Sequence, residues 1–150
     1  MIQEELSITI RQPVETVFAF LTDLTNAPRW HQNCLDIKDA SPGQVGVGTT
    51  FLMVTKALGR RFETRYECSQ YEPNRRYTVK AIAGPVAGQS TTTLEATDGG
   101  TRITVSAELE GSAFFKLAEP LIARQFRRDQ TTNLNTLKHL LEASASSSSG

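Results

Sequence analysis

Hydrophobic and polar positions sort most clearly in the last long stretch of the chain, residues 120–143, PLIARQFRRDQTTNLNTLKHLLEA. At 3.6 residues per turn, Ile122, Phe126, Leu137, Leu140 and Leu141 fall on one face, with Leu134 at its edge. Arg124, Arg127, Arg128, Lys138 and His139 fall on the other. Pro120 suits a first helical turn, where a missing N–H costs nothing. About 24 residues at ~1.5 Å each give a rod of roughly 36 Å, close to the full width of a domain of this size. The rest of the chain must therefore cover its apolar face. Gln130 and Asn133 interrupt that face between Phe126 and Leu137. A buried amide without partners costs about 1–3 kcal/mol. Either these amides bond to nearby backbone or to each other, or the face looks onto a wet or ligand-filled cavity.

Upstream the period changes to two. Residues 2–11 alternate, with Leu6, Ile8 and Ile10 on one side and Glu5, Ser7, Thr9 and Arg11 on the other, as in a strand with one wet face. Pro13 opens a helix whose apolar side is Val14, Val17, Phe18 and Leu21. A short helical piece follows, with Asp23 and Thr25 as caps, and closes at Trp30 and His31. From there the pattern is all strand: about 33–39, 48–57, 60–71, 75–83, 87–97 and 101–111. Turn formers separate these strands: Ser41-Pro42-Gly43, Leu58-Gly59, Pro73-Asn74, Gly84-Pro85 and Asp98-Gly99-Gly100. Strand 60–71 splits cleanly, with Phe62, Thr64, Tyr66 and Cys68 inside and Arg61, Glu63, Arg65 and Glu67 outside. Strand 87–97 has an inner side that begins polar, at Ser90 and Thr92. The order of one strand, two short helices, about six hairpin-linked strands and a long helix predicts an α+β fold. Its sheet is mainly antiparallel and curved, of six to seven strands, with the long helix on the concave side.

The totals narrow the class without naming a function. A chain of 150 residues fits one domain, read as 1–143 with a flexible Ser-rich tail at 144–150. Sixteen basic and sixteen acidic residues cancel, and no block of one sign suggests a nucleic-acid partner. The cluster Arg124, Arg127, Arg128 reads as a solvated surface. Two cysteines, Cys34 and Cys68, have no metal spacing and read as reduced thiols. The N-terminus shows no leader pattern, and no apolar run approaches the ~18 residues of a membrane span. A cytoplasmic protein with no integral membrane association and no cofactor is expected; a homodimer stays open.

The opening IRQPVETVFAFLTDLTNAPRW resembles the start of the Bet v 1-like superfamily, also called START-like or SRPBCC proteins, and within it the polyketide cyclase/dehydrase branch. The resemblance is carried by five pieces. Pro13, Glu15, Val17 and Phe18 begin the first helix. Leu21 and Asp23 are followed by Pro28 and Trp30. Gly46, Gly48 and Phe51 precede a strand. Thr101 and Arg102 follow Gly100. Asn133, Leu134, Leu137, Lys138, Leu141 and Glu142 lie in the last helix. The resemblance covers residues 3–143 and implies the helix-grip fold. It implies a range of activities: lipid carriers, hormone receptors, cyclases and co-chaperone-like domains. Gly46 and Gly48 do not make a phosphate loop, because no helix follows them.

The residues expected to face the cavity are Trp30, His31, Phe51, Met53, Tyr66, Tyr77, Val79, Ser90, Thr92, Phe126, Gln130 and Asn133. Apolar walls with sparse polar groups are the usual balance of a small-molecule pocket. The expected ligand is hydrophobic or amphipathic: a polyketide, lipid or isoprenoid. An enzyme would need a proton-transfer group, and His31 is the candidate, with Tyr66 or Tyr77 polarising a carbonyl in a cyclase or dehydratase reaction. The bland alternatives stay open: His31 as a rim residue, Trp30 as core, and the tyrosine hydroxyls bonded structurally. A protein-interaction or lipid-chaperone role is the third reading. Neither a nucleophile set nor a metal site is expected.

Overall fold

A computed structural model describes residues 1–57, 59–85, 87–111 and 116–148, the side chains of Ala57 and of 144–148 excepted. The elements are β1 (Ile2–Ile10), α1 (Val14–Thr22), a 3-10 turn (Leu24–Asn26), α2 (Ala27–Trp30), β2 (Cys34–Lys38), β3 (Thr50–Ala57), β4 (Arg60–Glu72), β5 (Arg76–Ala83), β6 (Ala87–Thr97), β7 (Gly100–Glu110) and α3 (Glu119–Ser148). The seven strands form one antiparallel sheet in the order β1-β7-β6-β5-β4-β3-β2. The sheet is curled around α3, which gives the helix-grip α+β fold.

Hairpins alone build β2 to β7, since each of these strands pairs with its neighbour in sequence. The exception is β1, which pairs with β7 from Ile2↔Leu109 to Ile10↔Thr101. Register shifts between β4 and β5 leave Ile82 of β5 and Ser69 of β4 as extra residues and bend the pair. The β6–β7 turn needs a left-handed residue, and Gly99 supplies it at φ 91°. Its neighbour Gly100 passes so near β1 that a Cβ there would lie 2.2 Å from the Ile10 carbonyl oxygen.

One packed cluster lies at the α1 end of the molecule, while Ile2, Phe51, Val54, Cys68 and Ala107 are buried outside it. Ile10, Val17, Phe18, Leu21, Leu94, Ile103, Leu134, Leu137 and Leu141 form a single cluster, with Ile10, Val17, Ile103 and Leu137 at 0% exposure. These residues come from α1, the ends of β1, β6 and β7, and the C-terminal half of α3. Phe18 meets Tyr71 and Tyr77 edge-on, at 5.4 and 5.9 Å between centroids. Each fully buried Leu or Ile is worth about 1.5–3 kcal/mol of transfer free energy, so this end anchors the domain.

α3 is fastened along both free edges of the sheet. On the β1 side the N-terminal ammonium meets Glu119 at 3.0 Å, Arg127 meets Glu4 at 3.3 Å and Arg11 meets Glu142 at 3.5 Å. Gln12 Nε2 donates to the Leu141 carbonyl at 2.8 Å. On the other side Gln32 and Asn33, just before β2, bond to Asp129 and Asn133.

Three details depart from the sequence expectations. Pro13 stands at the N-cap of α1 with extended backbone, rather than inside the helix. α3 runs to Ser148 because no Gly or Pro interrupts the chain after Ala143 before Gly150. Arg127 is not simply solvated, since it reaches Glu4. Leu58, half of one expected turn, lies outside the described residues, as do Phe114 and Phe115 before α3.

Candidate functional site

The junction between α2 and α3 sets the polar part of the site. Asp23 accepts from the Thr25 backbone N–H at 3.1 Å and starts the 3-10 turn. α2 is a single turn, closed by His31, whose N–H donates to the Ala27 carbonyl at 2.9 Å. Extended backbone at His31 (φ −94°, ψ 100°) then swings the chain toward β2 and past α3. The Gln32 backbone N–H donates to Asn133 Oδ1 at 3.0 Å. The side chains of Gln32 and Asn33 donate to the two carboxylate oxygens of Asp129, at 2.8 and 3.0 Å, and Gln125 donates to Asp129 at 2.8 Å.

Within this junction His31 lies beside Trp30, with 5.8 Å between ring centroids. Burial pushes its pKa below the ordinary value, and the negative charge of Asp129 opposes that shift only in part. The imidazole is therefore neutral at pH 7. Its Nδ1 is covered and, its own backbone apart, has no hydrogen-bond partner among the described residues, and neither has Nδ2 of Asn133, a residue at 0% exposure.

The sheet supplies the apolar wall. Phe51 and Tyr66 face each other across β3 and β4 and stack at 5.6 Å with 24° between their planes. Burial, and then the neighbouring Cys34, raise the Tyr66 pKa. The register places Val79 opposite Ser90, Ser90 opposite Ala107 and Ala107 opposite Glu4, one continuous row on the inner face. The next row runs Tyr77, Thr92, Val105, Leu6. Tyr77 belongs to the packed end, against Phe18. Burial drives its pKa up to about 12, with its contact to Thr92 acting the other way.

The expected wall residues thus divide. Phe51 and Thr92 are buried, as is Asn133, while Trp30, His31, Met53, Tyr66, Tyr77, Val79, Ser90, Phe126 and Gln130 keep intermediate exposure. Gln32, next to His31, bonds to Asn133, Phe51 stacks on Tyr66, and Trp30 packs against the core cluster. His31 makes neither a hydrogen bond nor a ring contact with Tyr66 or Tyr77 among the described residues. Two participants were not among the expected wall residues. Asp129 is the hub that ties α2 to α3. Glu4 is an inward carboxylate; it stands two positions before Leu6 and so shares its face.

Two hollows open elsewhere among the described residues. One of about 540 Å³ lies between α1 and the loop after β2, lined by Phe18, Thr22, Asp23, Ser41, Val45 and Tyr71 among others. None of the expected wall residues lines it. A smaller one of about 220 Å³ includes Ala81, Gly88 and Leu109, which continue the inner face toward the end away from the core.

The family model for polyketide cyclase / dehydrase and lipid transport matches residues 1–142. The chain belongs to that family. A protein from Thermus thermophilus superposes with a TM-score of 0.81 at 17% identity, covering 95% of this chain and 98% of that one. A START superfamily protein from Mycobacterium smegmatis gives 0.80 at 9% identity, covering 95% and 99%. The Zhui aromatase/cyclase from Streptomyces sp. R1128 gives 0.74 at 13% identity, covering 93% of each chain. At these identities the likeness shows the fold. No curated protein sequence matches the chain. Among the described residues of this polyketide cyclase / dehydrase family member, no helix is long and apolar enough to cross a membrane.

Proposed function

We propose that the chain binds one hydrophobic or amphipathic small molecule between the inner sheet face and the N-terminal half of α3. The observation that carries this reading is the uneven burial of the inner face. At the α1 end Ile10, Leu94 and Ile103 have at most 3% exposure. Away from it Ile2, Phe51 and Ala107 are buried, but Tyr66, Val79, Ser90 and Leu109 between them remain part-exposed on the same face, as do Phe126 and Gln130 on α3. α3 packs on β1 along one edge and on α2 at the other. Accessible apolar surface on a face spanned in this way is what a small-molecule site needs. The family, whose description joins cyclase, dehydrase and lipid-transport members, supports the same reading.

Native mass spectrometry of the purified chain, followed by denaturing extraction, tests it. The expected result is one small molecule per chain, or one equivalent of added 2-naphthol retained. A chain that carries nothing and retains no 2-naphthol contradicts it.

A second reading is catalytic, with His31 as base and Tyr66 polarising a carbonyl in a cyclase or dehydratase reaction. The neutral imidazole of His31 favours it, because a base must be unprotonated at working pH. Glu4, held by Arg127, and Asp129, held by three amides, are already engaged. Turnover of an aromatic poly-β-ketone that is unchanged in His31→Ala would remove this reading and leave the first intact.

A further inference from the structure

The start of α3 carries an exposed apolar pair. Leu117, just before the helix, is 85% exposed, and Leu121, in its first turn, is 71% exposed. Pro120 beside them is exposed as well. A single leucine in water needs no explanation, but two this bare at one helix end are unfavourable unless a partner covers them. Met1 lies at the same end, because its ammonium meets Glu119 at 3.0 Å, and it is 54% exposed.

The helix continues this patch with charge. At 3.6 residues per turn Arg124 and Arg128 fall within about 60° of Leu121, on the side turned away from Ile122 and Phe126. Both are exposed, and among the described residues neither forms an ion pair or a hydrogen bond. Arg127, in the same run, differs in reaching Glu4. The acids of this half of the helix are engaged, Glu119 by the N-terminus and Asp129 by three amides. Glu108 and Glu110 of β7 alternate with the inward Leu109 and so stand on the outer face of the sheet, away from α3. The stripe is therefore apolar at its tip and cationic behind it.

That order favours one partner. A second copy packed two-fold on the leucines would bring four free arginines together with no acid to meet them. A bilayer with anionic headgroups answers both halves. Apolar side chains of a surface-bound helix settle roughly 5–10 Å into the boundary of headgroups and acyl chains, and Arg128 stands about 10 Å along the axis from Leu121. We propose that the N-terminal end of α3 docks on an anionic phospholipid surface, with Leu117 and Leu121 in the boundary layer and Arg124 and Arg128 on headgroup phosphates. The docking stands without the ligand-binding reading. It brings the half of α3 that carries Phe126 and Gln130 up to the lipid.

Co-sedimentation of the full chain, with no ligand added, tests it on vesicles of equal parts phosphatidylcholine and phosphatidylglycerol. The wild type should bind these and bind pure phosphatidylcholine far more weakly. Each arginine near an anionic surface contributes about a fivefold factor, so Arg124→Gln with Arg128→Gln should weaken binding roughly 25-fold. Leu117→Gln with Leu121→Gln should weaken it at least as much. All four side chains are exposed, so both double variants should keep the thermal midpoint of the wild type. No binding, equal binding to the two kinds of vesicle, or binding unchanged in either double variant overturns the proposal. A dimer that the leucine variant dissolves, without vesicle binding, overturns it too and gives the patch to a second copy. Should a variant lose its fold, a gadolinium-chelate lipid in the vesicles decides on the wild-type chain. Broadening centred on Leu121 and Arg124 supports the docking, and broadening centred on the outer sheet face overturns it. Retention of 2-naphthol is read separately, so either reading can fail alone.

Discussion

The backbone N–H of Gln32 donates to Asn133 Oδ1 at 3.0 Å, joining segments 101 positions apart. That one bond closes the grip on the β2 side, fixes the orientation of a fully buried amide and brings His31 against α3. The polar chemistry of the site follows from it.

Asn133→Asp keeps the acceptor for Gln32 but buries a second carboxylate one turn from Asp129. The charged form is penalised by desolvation and by its like neighbour, so a loss of at least about 2 kcal/mol is expected at pH 7.5. The new carboxyl takes up a proton more readily folded than unfolded. The penalty therefore shrinks as pH falls toward 5. Urea denaturation of wild type and variant at the two pH values measures both effects.

His31 gives the wild-type chain its own pH dependence. Its folded pKa lies below the ordinary 6.5, because burial disfavours the imidazolium. On acidification the unfolded chain binds the proton first. Its contribution is whole above pH ~6.5 and is lost as pH falls from there through the folded value. His31→Phe should remove this slope, seen as a smaller drop in urea midpoint between pH 7.5 and 5.5. Glu142 adds a separate slope at lower pH. Its pKa is lowered, first by the Arg11 backbone N–H, so its contribution is lost as pH falls below the ordinary carboxylate value of 4.5.

Gly100→Ala tests the packing of β1 on β7. The added methyl would stand 2.2 Å from the Ile10 carbonyl oxygen and 3.0 Å from its carbon, both backbone atoms that cannot swing aside. A loss of about 1–3 kcal/mol is expected from overpacking. A thermal midpoint equal to that of the wild type would contradict the close approach.

Much of the fold was legible because its patterns are long. Seven strands and one 30-residue helix repeat their periods often enough to be read, and the turns carry Gly, Pro and Asn where the chain reverses. The site was legible only in part. Phe51 and Tyr66 fall on one inner face by alternation alone. Tyr77 shares that alternation, yet packs on Phe18 because α1 covers only one end of the sheet. No periodicity encodes which end a helix covers. Asp129 reads as the edge of an apolar stripe; its role comes from Gln32 and Asn33, which lie more than ninety positions away.

The same division predicts different behaviour for the tyrosines. Tyr77, raised to about 12, should ionise only near that pH. A spectrophotometric titration should lose a step near pH 12 in Tyr77→Phe and keep it in Tyr66→Phe. Tyr66→Phe, in turn, should weaken 2-naphthol binding more than Tyr77→Phe does, since Tyr66 stands on the part-exposed wall.

The central claim is that a ligand binds between the inner sheet face and α3, and a ¹⁵N–¹H NMR titration with 2-naphthol tests it most directly. The account predicts saturable shifts at Trp30, Tyr66, Val79, Ser90, Phe126 and Gln130, with little change around the groove of Thr22, Ser41 and Val45. Shifts confined to that groove, or scattered over the charged outer face, would contradict it.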